Sequence, residues 1–515
     1  MKHLLITVLS LIAFTICASA QLTEQQQIQK LNLVYQHIRN HYVDDVSLEP
    51  LVDEAIKASL KELDPHSQYL TREEMKQFKA RINGKFAGVG IRYLMHNDTL
   101  VVRSIIPSSP ASKAGIMPND RITKVDNHSI IGISGDSAAM LFKGDAGSNL
   151  SLSIVRRGKD NPLTINLKRT IIESSAISAS YRIGDVGYIG ISSFSKPMPN
   201  EFYHAYKTLG DIKSLIIDLR DNGGGAITSA IDLSSMFLTK GDLIVSTEGK
   251  AHGEAHYKRQ DRLSLTIPLV VVINENSASA SEIFAGAIQD HDRGVIIGRT
   301  SYGKGLVQRL IDLKDGSGMT ITIARYKTPS GRIIQRPYQM GEGEKYRNDT
   351  LRYMHPDSIS HDNAPIYHTL KNRRKVYGGG GITPDIYINT DSIKLSSDLI
   401  TAYNTAVFEH AIIDYWDIEH PENIKAQHPT IEDFSSNYTI DPQLIDMLLN
   451  LIKCTEYTNI DKVFIETMLR AIIAEQLYGN NARYYIYGIG FDYILQQAIT
   501  IANDTNSIEK ILMSQ

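Results

Sequence analysis

Three short clusters carry side chains whose types and spacing could do chemistry. The densest is Asn276-Ser277-Ala278-Ser279-Ala280-Ser281-Glu282-Ile283, which follows the apolar run Leu269–Ile273 and opens a helix-compatible stretch. A serine at a strand-to-helix turn is held exposed at the end of a sheet. The free N–H groups of the helix start then face any oxyanion that develops on a carbonyl it attacks. Small neighbours, Ala278 and Ala280, leave room for a polypeptide backbone. Small residues also begin ordinary helices, and taken alone the run reads as an N-cap. Its chemistry does not choose among Ser277, Ser279 and Ser281.

The second cluster, Ser301-Tyr302-Gly303-Lys304-Gly305-Leu306-Val307-Gln308, also follows a strand-like run. A lysine between two glycines sits where backbone can approach closely. To serve as a base near neutral pH its amine must be uncharged, so burial has to depress its pKa. Gln308 lies four residues on, on the same side in either a helix or a strand, where it can orient the amine. A phosphate loop would need Gly-x-x-x-x-Gly-Lys-Ser/Thr, which is absent. The third cluster is Asp218-Leu219-Arg220-Asp221-Asn222-Gly223-Gly224-Gly225. Consecutive glycines let backbone N–H groups converge on an anion, either a phosphate or an oxyanion. A plain glycine turn is the common alternative.

The elements that must position these groups are legible as short apolar runs. Val186–Ile191, Leu215–Leu219, Leu269–Ile273 and Val295–Ile297 fit strands covered on both faces, Met319–Tyr326 alternates, and Ala226–Leu238 and Ser281–Asp290 are helix-compatible. All three clusters end strands of one α/β unit, where ligands bind in such sheets, so a nucleophile, a base and oxyanion donors converge.

The rest of the chain frames this unit. Its 515 residues suggest about three domains. A net charge of −3 without a Lys/Arg run gives no steering toward nucleic acid or anionic membrane. Residues 1–20 have the layout of a cleaved export signal: Lys2, an apolar stretch Leu4–Ile16, then Ala18-Ser19-Ala20. This predicts an exported, periplasmic protein. Lipid anchoring at Cys17 is disfavoured by the bulky Ile16 before it. Signal removal would leave Cys454 alone, without an intramolecular disulfide.

Residues 21–85 read as helical, with stripes at Ile28, Leu31, Tyr35 and Ile38 and at Val52, Ala55, Ile56 and Leu60. His37 and His41 lack the glutamate that follows the first histidine in zinc peptidases, so no metal site is expected there. Residues 86–169 read as short β runs, 340–375 as a polar surface insertion, and 391–515 as helical, with Asp441-Pro442 as a cap.

Together these residues resemble the C-terminal processing, or tail-specific, peptidases of the S41 serine peptidase family. The resemblance spans roughly residues 24–390. It includes Leu63-Asp64-Pro65-His66-Ser67-Gln68-Tyr69-Leu70 and Gly380-Gly381-Ile382-Thr383-Pro384-Asp385 besides the three clusters. It implies a multidomain α+β protein: an N-terminal helical segment, a PDZ β domain (86–169), a crotonase-like α/β protease core (170–390) and a C-terminal helical domain. It also implies a Ser–Lys dyad, with the middle serine, Ser279, as nucleophile, Lys304 as general base and Gln308 orienting it. Backbone N–H groups of Gly224 and Ala280 would form the oxyanion hole. Asp290 and Arg220 match supporting positions, which structural salt bridging explains equally well. Gly88-Val89-Gly90-Ile91 resembles the loop that receives a peptide C-terminal carboxylate in PDZ domains, with the peptide added as a strand.

The implied activity is endopeptidase cleavage of exported proteins with apolar C-termini. No metal or organic cofactor and no nucleic acid is expected. A homodimer through the helical ends and an activating partner protein are the further expectations. The rival from another class is a non-catalytic PDZ peptide-binding protein on a protease scaffold. A crotonase-like enzyme acting on coenzyme A esters would need a pocket for which the sequence has no motif.

Overall fold

A six-stranded sheet organises the centre of the protein. Ile177–Ile183 pairs antiparallel with Val186–Ile191, followed by parallel Ser214–Asp218, Leu269–Ile273, Val295–Gly298 and Ile386–Tyr387. Every residue of Leu269–Ile273 and of Val186–Ile191 is buried. Such continuous apolar runs are what a sheet covered on both faces requires. One face packs on the helices Met198–Thr208, Ile227–Ser235 and Ala280–Asp290, and the other on Tyr493–Asn503 and Thr505–Met513. The computed structural model describes residues 23–514 apart from 252, 262, 350–363, 390–393 and 455. The expected export signal and the middle of the 340–375 segment lie outside the described residues.

A second sheet flanks the first. Gly318–Lys327 pairs antiparallel with Gln68–Leu70, Leu306–Asp312 and Leu243–Gly249, and the last pairs with Gly253–Lys258. The register slips between Val307 and Gln308 where that strand leaves the lysine loop. A bulge of this kind re-aims a side chain beside a site. Strand Gln68–Leu70 thus ties the N-terminal segment into the core.

The β domain has the strand order Ile91–His96, Thr99–Ile105, Arg121–Val125, Asn149–Val155, Leu163–Lys168, around its own core of Leu100, Ile122, Leu152 and Ile154. Lys85–Gly88 and Thr170–Glu173 pair as a stem beneath it. Gly88 ends that stem and Val89 is buried. Gly90 adopts φ +84°, and a Cβ there would lie 2.2 Å from that of Ser109, so only glycine fits. Ile91 then begins an edge strand.

Two sequence expectations change in detail. The helix Glu24–His41 forms behind its Thr23 capping box, but it buries no residue, and Ile28, Leu31 and Val34 are exposed. The start of the polar 340–375 segment is no free surface loop. Tyr346, on the short helix Gly343–Arg347, is buried under the Arg336 guanidinium and donates to Gly303 O at 3.3 Å. An aromatic ring beneath a cation hides apolar area that composition alone reads as polar.

The C-terminal helices form a separate core through Phe408, Ile412, Leu444, Leu469 and Ile472. This domain touches both of the others. Asp414 meets His96 at 2.7 Å and Glu475 meets Arg103 at 3.1 Å in the β domain, while Asp492 meets Arg220 at 2.6 Å in the core.

Candidate active site

The three serines of the densest cluster are separated by burial. Ser277 and Ser281 are fully buried, and their hydroxyls donate to Leu219 O and Asn222 O, both at 2.8 Å. Ser279 is half-buried and lines a cavity of about 630 Å³ together with Gly224, Ala280, Lys304 and Gln308. Its backbone, at φ +56° and ψ −110°, lies outside the regions an L-residue normally adopts. Such a conformation costs about 1–3 kcal/mol and persists only where the surroundings over-determine it, as at a nucleophile turn.

Glu282 and Tyr326 supply those surroundings. Glu282, fully buried, accepts from Ser279 N at 2.8 Å and Lys304 N at 2.9 Å on one oxygen. On the other it accepts from Ser301 Oγ at 2.6 Å and Gly303 N at 2.7 Å. A single carboxylate therefore joins the serine turn to the lysine loop. Burial pushes its carboxyl above the usual range, and the four donors pull against that shift. The Tyr326 hydroxyl makes a second bridge, donating to Lys304 O at 2.6 Å and Ser279 O at 3.2 Å. Burial raises that phenol well above its usual range, so it stays a donor.

The Lys304 amine donates to Gln308 Oε1 at 2.9 Å. Burial holds its pKa below the ordinary lysine value, against the fields of Glu282 and Asp64, which raise it. A neutral amine so bonded keeps a lone pair free for a serine proton. Gln308 is fixed in turn, since its Nε2 donates to His66 O. That carbonyl is set by the turn Asp64–Ser67, in which Asp64 Oδ1 accepts from His66 N at 2.9 Å, Ser67 N at 3.0 Å and Thr322 Oγ1 at 3.0 Å. Burial, aided by the nearby Lys304 charge, pushes the His66 ring down to about 3, so it stays neutral beside the amine.

The glycine loop lies against the serine turn. A Cβ on Gly224 would come within 2.7 Å of Ala278 O and 2.9 Å of Ala280 N, an approach that only glycine permits. Asn222 holds the loop there. Its Nδ2 donates to Ile191 O at 2.8 Å and its O accepts from Ala278 N at 3.0 Å. Its Oδ1 accepts from Gly224 N at 2.9 Å, so that N–H is turned toward Asn222 in this structure.

The two supporting positions lie away from this cavity. Asp290, at the far end of the helix Ala280–Asp290, forms a fully buried ion pair with Arg332 at 2.6 Å. Arg220 pairs with Asp218 and with Asp492, each at 2.6 Å. The residues that sequence reasoning left without a role are Glu282, Asp64 and the His66 carbonyl. The first stood inside the serine cluster and the others inside the 63–70 motif. Among the described residues, no group of His, Cys, Asp or Glu is arranged to hold a metal, and no helix is long and apolar enough to cross a membrane.

Residues 185–341 match peptidase family S41 and residues 87–167 match a PDZ domain. A protease core with this strand-end site and an appended peptide-binding module defines a serine-type peptidase. A carboxy-terminal-processing protease of Bartonella bacilliformis is 37% identical over 336 residues, covering 64% of this chain and 77% of the relative. Carboxy-terminal processing protease CtpA of Bacillus subtilis is 34% identical over 317 residues, covering 61% and 68%. This chain belongs to the carboxy-terminal processing protease family. Residues 14–74 match the N-terminal domain of the activating protease CtpB, and 399–479 match a family of unknown function. Among solved structures, the photosystem II D1 C-terminal processing protease aligns with 71% of this chain and 88% of its own. The identity is 25% and the TM-score 0.35.

Proposed function

We propose that this protein cleaves peptide bonds in exported polypeptides through a Ser279–Lys304 dyad, after its PDZ domain has captured the substrate's C-terminus. The observation that carries the reading is the part-buried Lys304 amine, held by Gln308 in the cavity that Ser279 lines, on a loop whose Lys304 backbone N–H is joined to the serine turn through Glu282. Neutral Lys304 takes the Ser279 proton as Oγ adds to the scissile carbonyl. The oxyanion receives the Ala280 N–H, and the Gly224 N–H once it leaves Asn222 Oδ1. Lys304 then passes its proton to the departing amine, the C–N bond breaks, and water activated by the same lysine cleaves the acyl ester. Arg220 and Asp290 act in this scheme by holding structure. The chemistry needs no metal or organic cofactor.

Capture runs along the free edge of Ile91–His96, with Gly88, Val89, Gly90 and Ile91 offering N–H groups to the terminal carboxylate and apolar side chains entering beside Tyr93 and Phe142. The signal-like residues 1–20 support a periplasmic location. The exposed apolar stripe of Glu24–His41 fits a second copy of this chain, and the match to an activating protease's N-terminal domain supports an activating partner. Cleavage of unfolded casein by residues 21–515, beside Ser279→Ala and Lys304→Ala, tests the proposal. Cleavage by the parent and by neither variant supports it; equal cleavage by all three overturns the dyad. Peptide-tail binding without any cleavage favours a peptide-binding protein instead.

A further inference from the structure

A second cavity, of about 770 Å³, opens where the three domains meet. The strand ends of the central sheet form one wall through Asp218 and Arg220, the C-terminal domain another through Glu475 and Tyr484, and the PDZ sheet a third through Arg92. Ser192 lines both this cavity and the catalytic one, so the two adjoin.

Most of the cavity's cations are already committed. Arg220 is paired with Asp218 and Asp492, Arg103 and Arg483 share Glu475 and Glu409, and Arg299 meets Glu275 at 2.6 Å. Arg92 differs: among the described residues it has no ion pair and no side-chain hydrogen bond, and it is exposed to the cavity. Its position is specific. It lies on the PDZ edge strand Ile91–His96, whose Ile91, Tyr93 and Met95 pack on the domain's own core, so Arg92 points to the opposite side. A peptide added to that edge alternates in the same way. Its last residue and the second before it enter the groove, while the residues between them face the side of Arg92.

We infer that this cavity is a second substrate subsite that receives a carboxylate side chain of the captured polypeptide, with Arg92 as its cationic partner. The inference rests on the proposed capture of substrate tails by the PDZ edge. The preferred tails then combine an apolar last residue with Asp or Glu at the alternating positions before it. The C-terminal domain gains a role as the wall that closes this subsite.

The test is fluorescence anisotropy with the full chain carrying Ser279→Ala and two labelled peptides. Both share one apolar C-terminal residue; one has Glu at the penultimate and third-preceding positions and the other has Gln. The Glu peptide is expected to bind about fivefold to tenfold tighter at low salt, the range for a part-exposed charge-assisted pair. Arg92→Gln should abolish that preference without weakening the Gln peptide, and Arg92→Glu should reverse it. Equal affinities in the parent, a preference that survives Arg92→Gln, or no binding of either peptide overturns the inference. The casein assay reads the protease proposal separately. Casein cleavage without a Glu preference sinks the subsite alone, and a Glu preference without casein cleavage sinks the protease alone.

Discussion

Replacing Glu282 by Gln changes one buried atom at the point where the two halves of the dyad are joined. The carboxylate accepts four hydrogen bonds, and the amide can accept only on its remaining oxygen. The least costly orientation keeps that oxygen toward Ser279 N and Lys304 N and turns the NH2 toward Ser301 and Gly303. There the Gly303 N–H loses its acceptor, at a cost of about 1–3 kcal/mol for one buried donor. That is well inside a typical stability of about 5–15 kcal/mol, so the variant folds.

The electrostatic consequence is separate. The Glu282 charge raises the Lys304 pKa against burial. Removing it lowers that pKa further, and the neutral base then persists to more acidic pH. Activity rises as Lys304 loses its proton, so the acid limb of kcat/KM against pH should move down in Glu282→Gln. Denaturant titration reads the stability loss and a fluorogenic peptide reads the pH profile. An acid limb that stays in place or moves up, in a variant showing the expected destabilisation, would refute the coupling of Glu282 to Lys304.

Asp64→Ala removes the acceptor that shapes the turn carrying His66 O, so Gln308 and with it Lys304 lose their orientation; kcat should fall about 10²-fold, as for a misplacement on the order of 1 Å, with KM little changed. The hydrogen bonds to Asp64 outweigh its burial and hold its carboxyl below the usual value. Its contribution to stability is therefore full above the unfolded carboxylate pKa and is lost as pH falls through the folded one, a loss that Asp64→Ala should remove from an acid-unfolding curve. Asp290→Ala strands the fully buried Arg332 guanidinium and should destabilise the protein by about 3–5 kcal/mol in denaturant titration, in keeping with a structural role.

Much of the architecture is legible in the chain because its strands are short apolar runs. Val186–Ile191 and Leu269–Ile273 have the bounds their composition suggests, since burial on both faces leaves little freedom. The site is legible as clusters, because chemistry at a strand end needs unusual residues close together. The choice among its serines by chemistry is not, since it depends on which hydroxyls find buried acceptors 58 and 59 residues away, at Leu219 and Asn222.

Glu282 escapes notice for a similar reason. An acidic residue in the first turn of a helix fits the helix dipole, and nothing local reveals its bonds to Gly303 and Lys304. The His66 carbonyl is invisible in principle, because every residue has one. The stripe on Glu24–His41 gives the helix but not its partner, as periodicity records an apolar face without saying what covers it.

The most direct test of the central claim is to quench a cleavage reaction in acid and locate the covalent intermediate by mass spectrometry. The account predicts an acyl ester on Ser279 in the parent protein and none in Lys304→Ala, whose serine is not activated. An acyl group on Ser277 or Ser281, or undiminished acylation of Lys304→Ala, would contradict it.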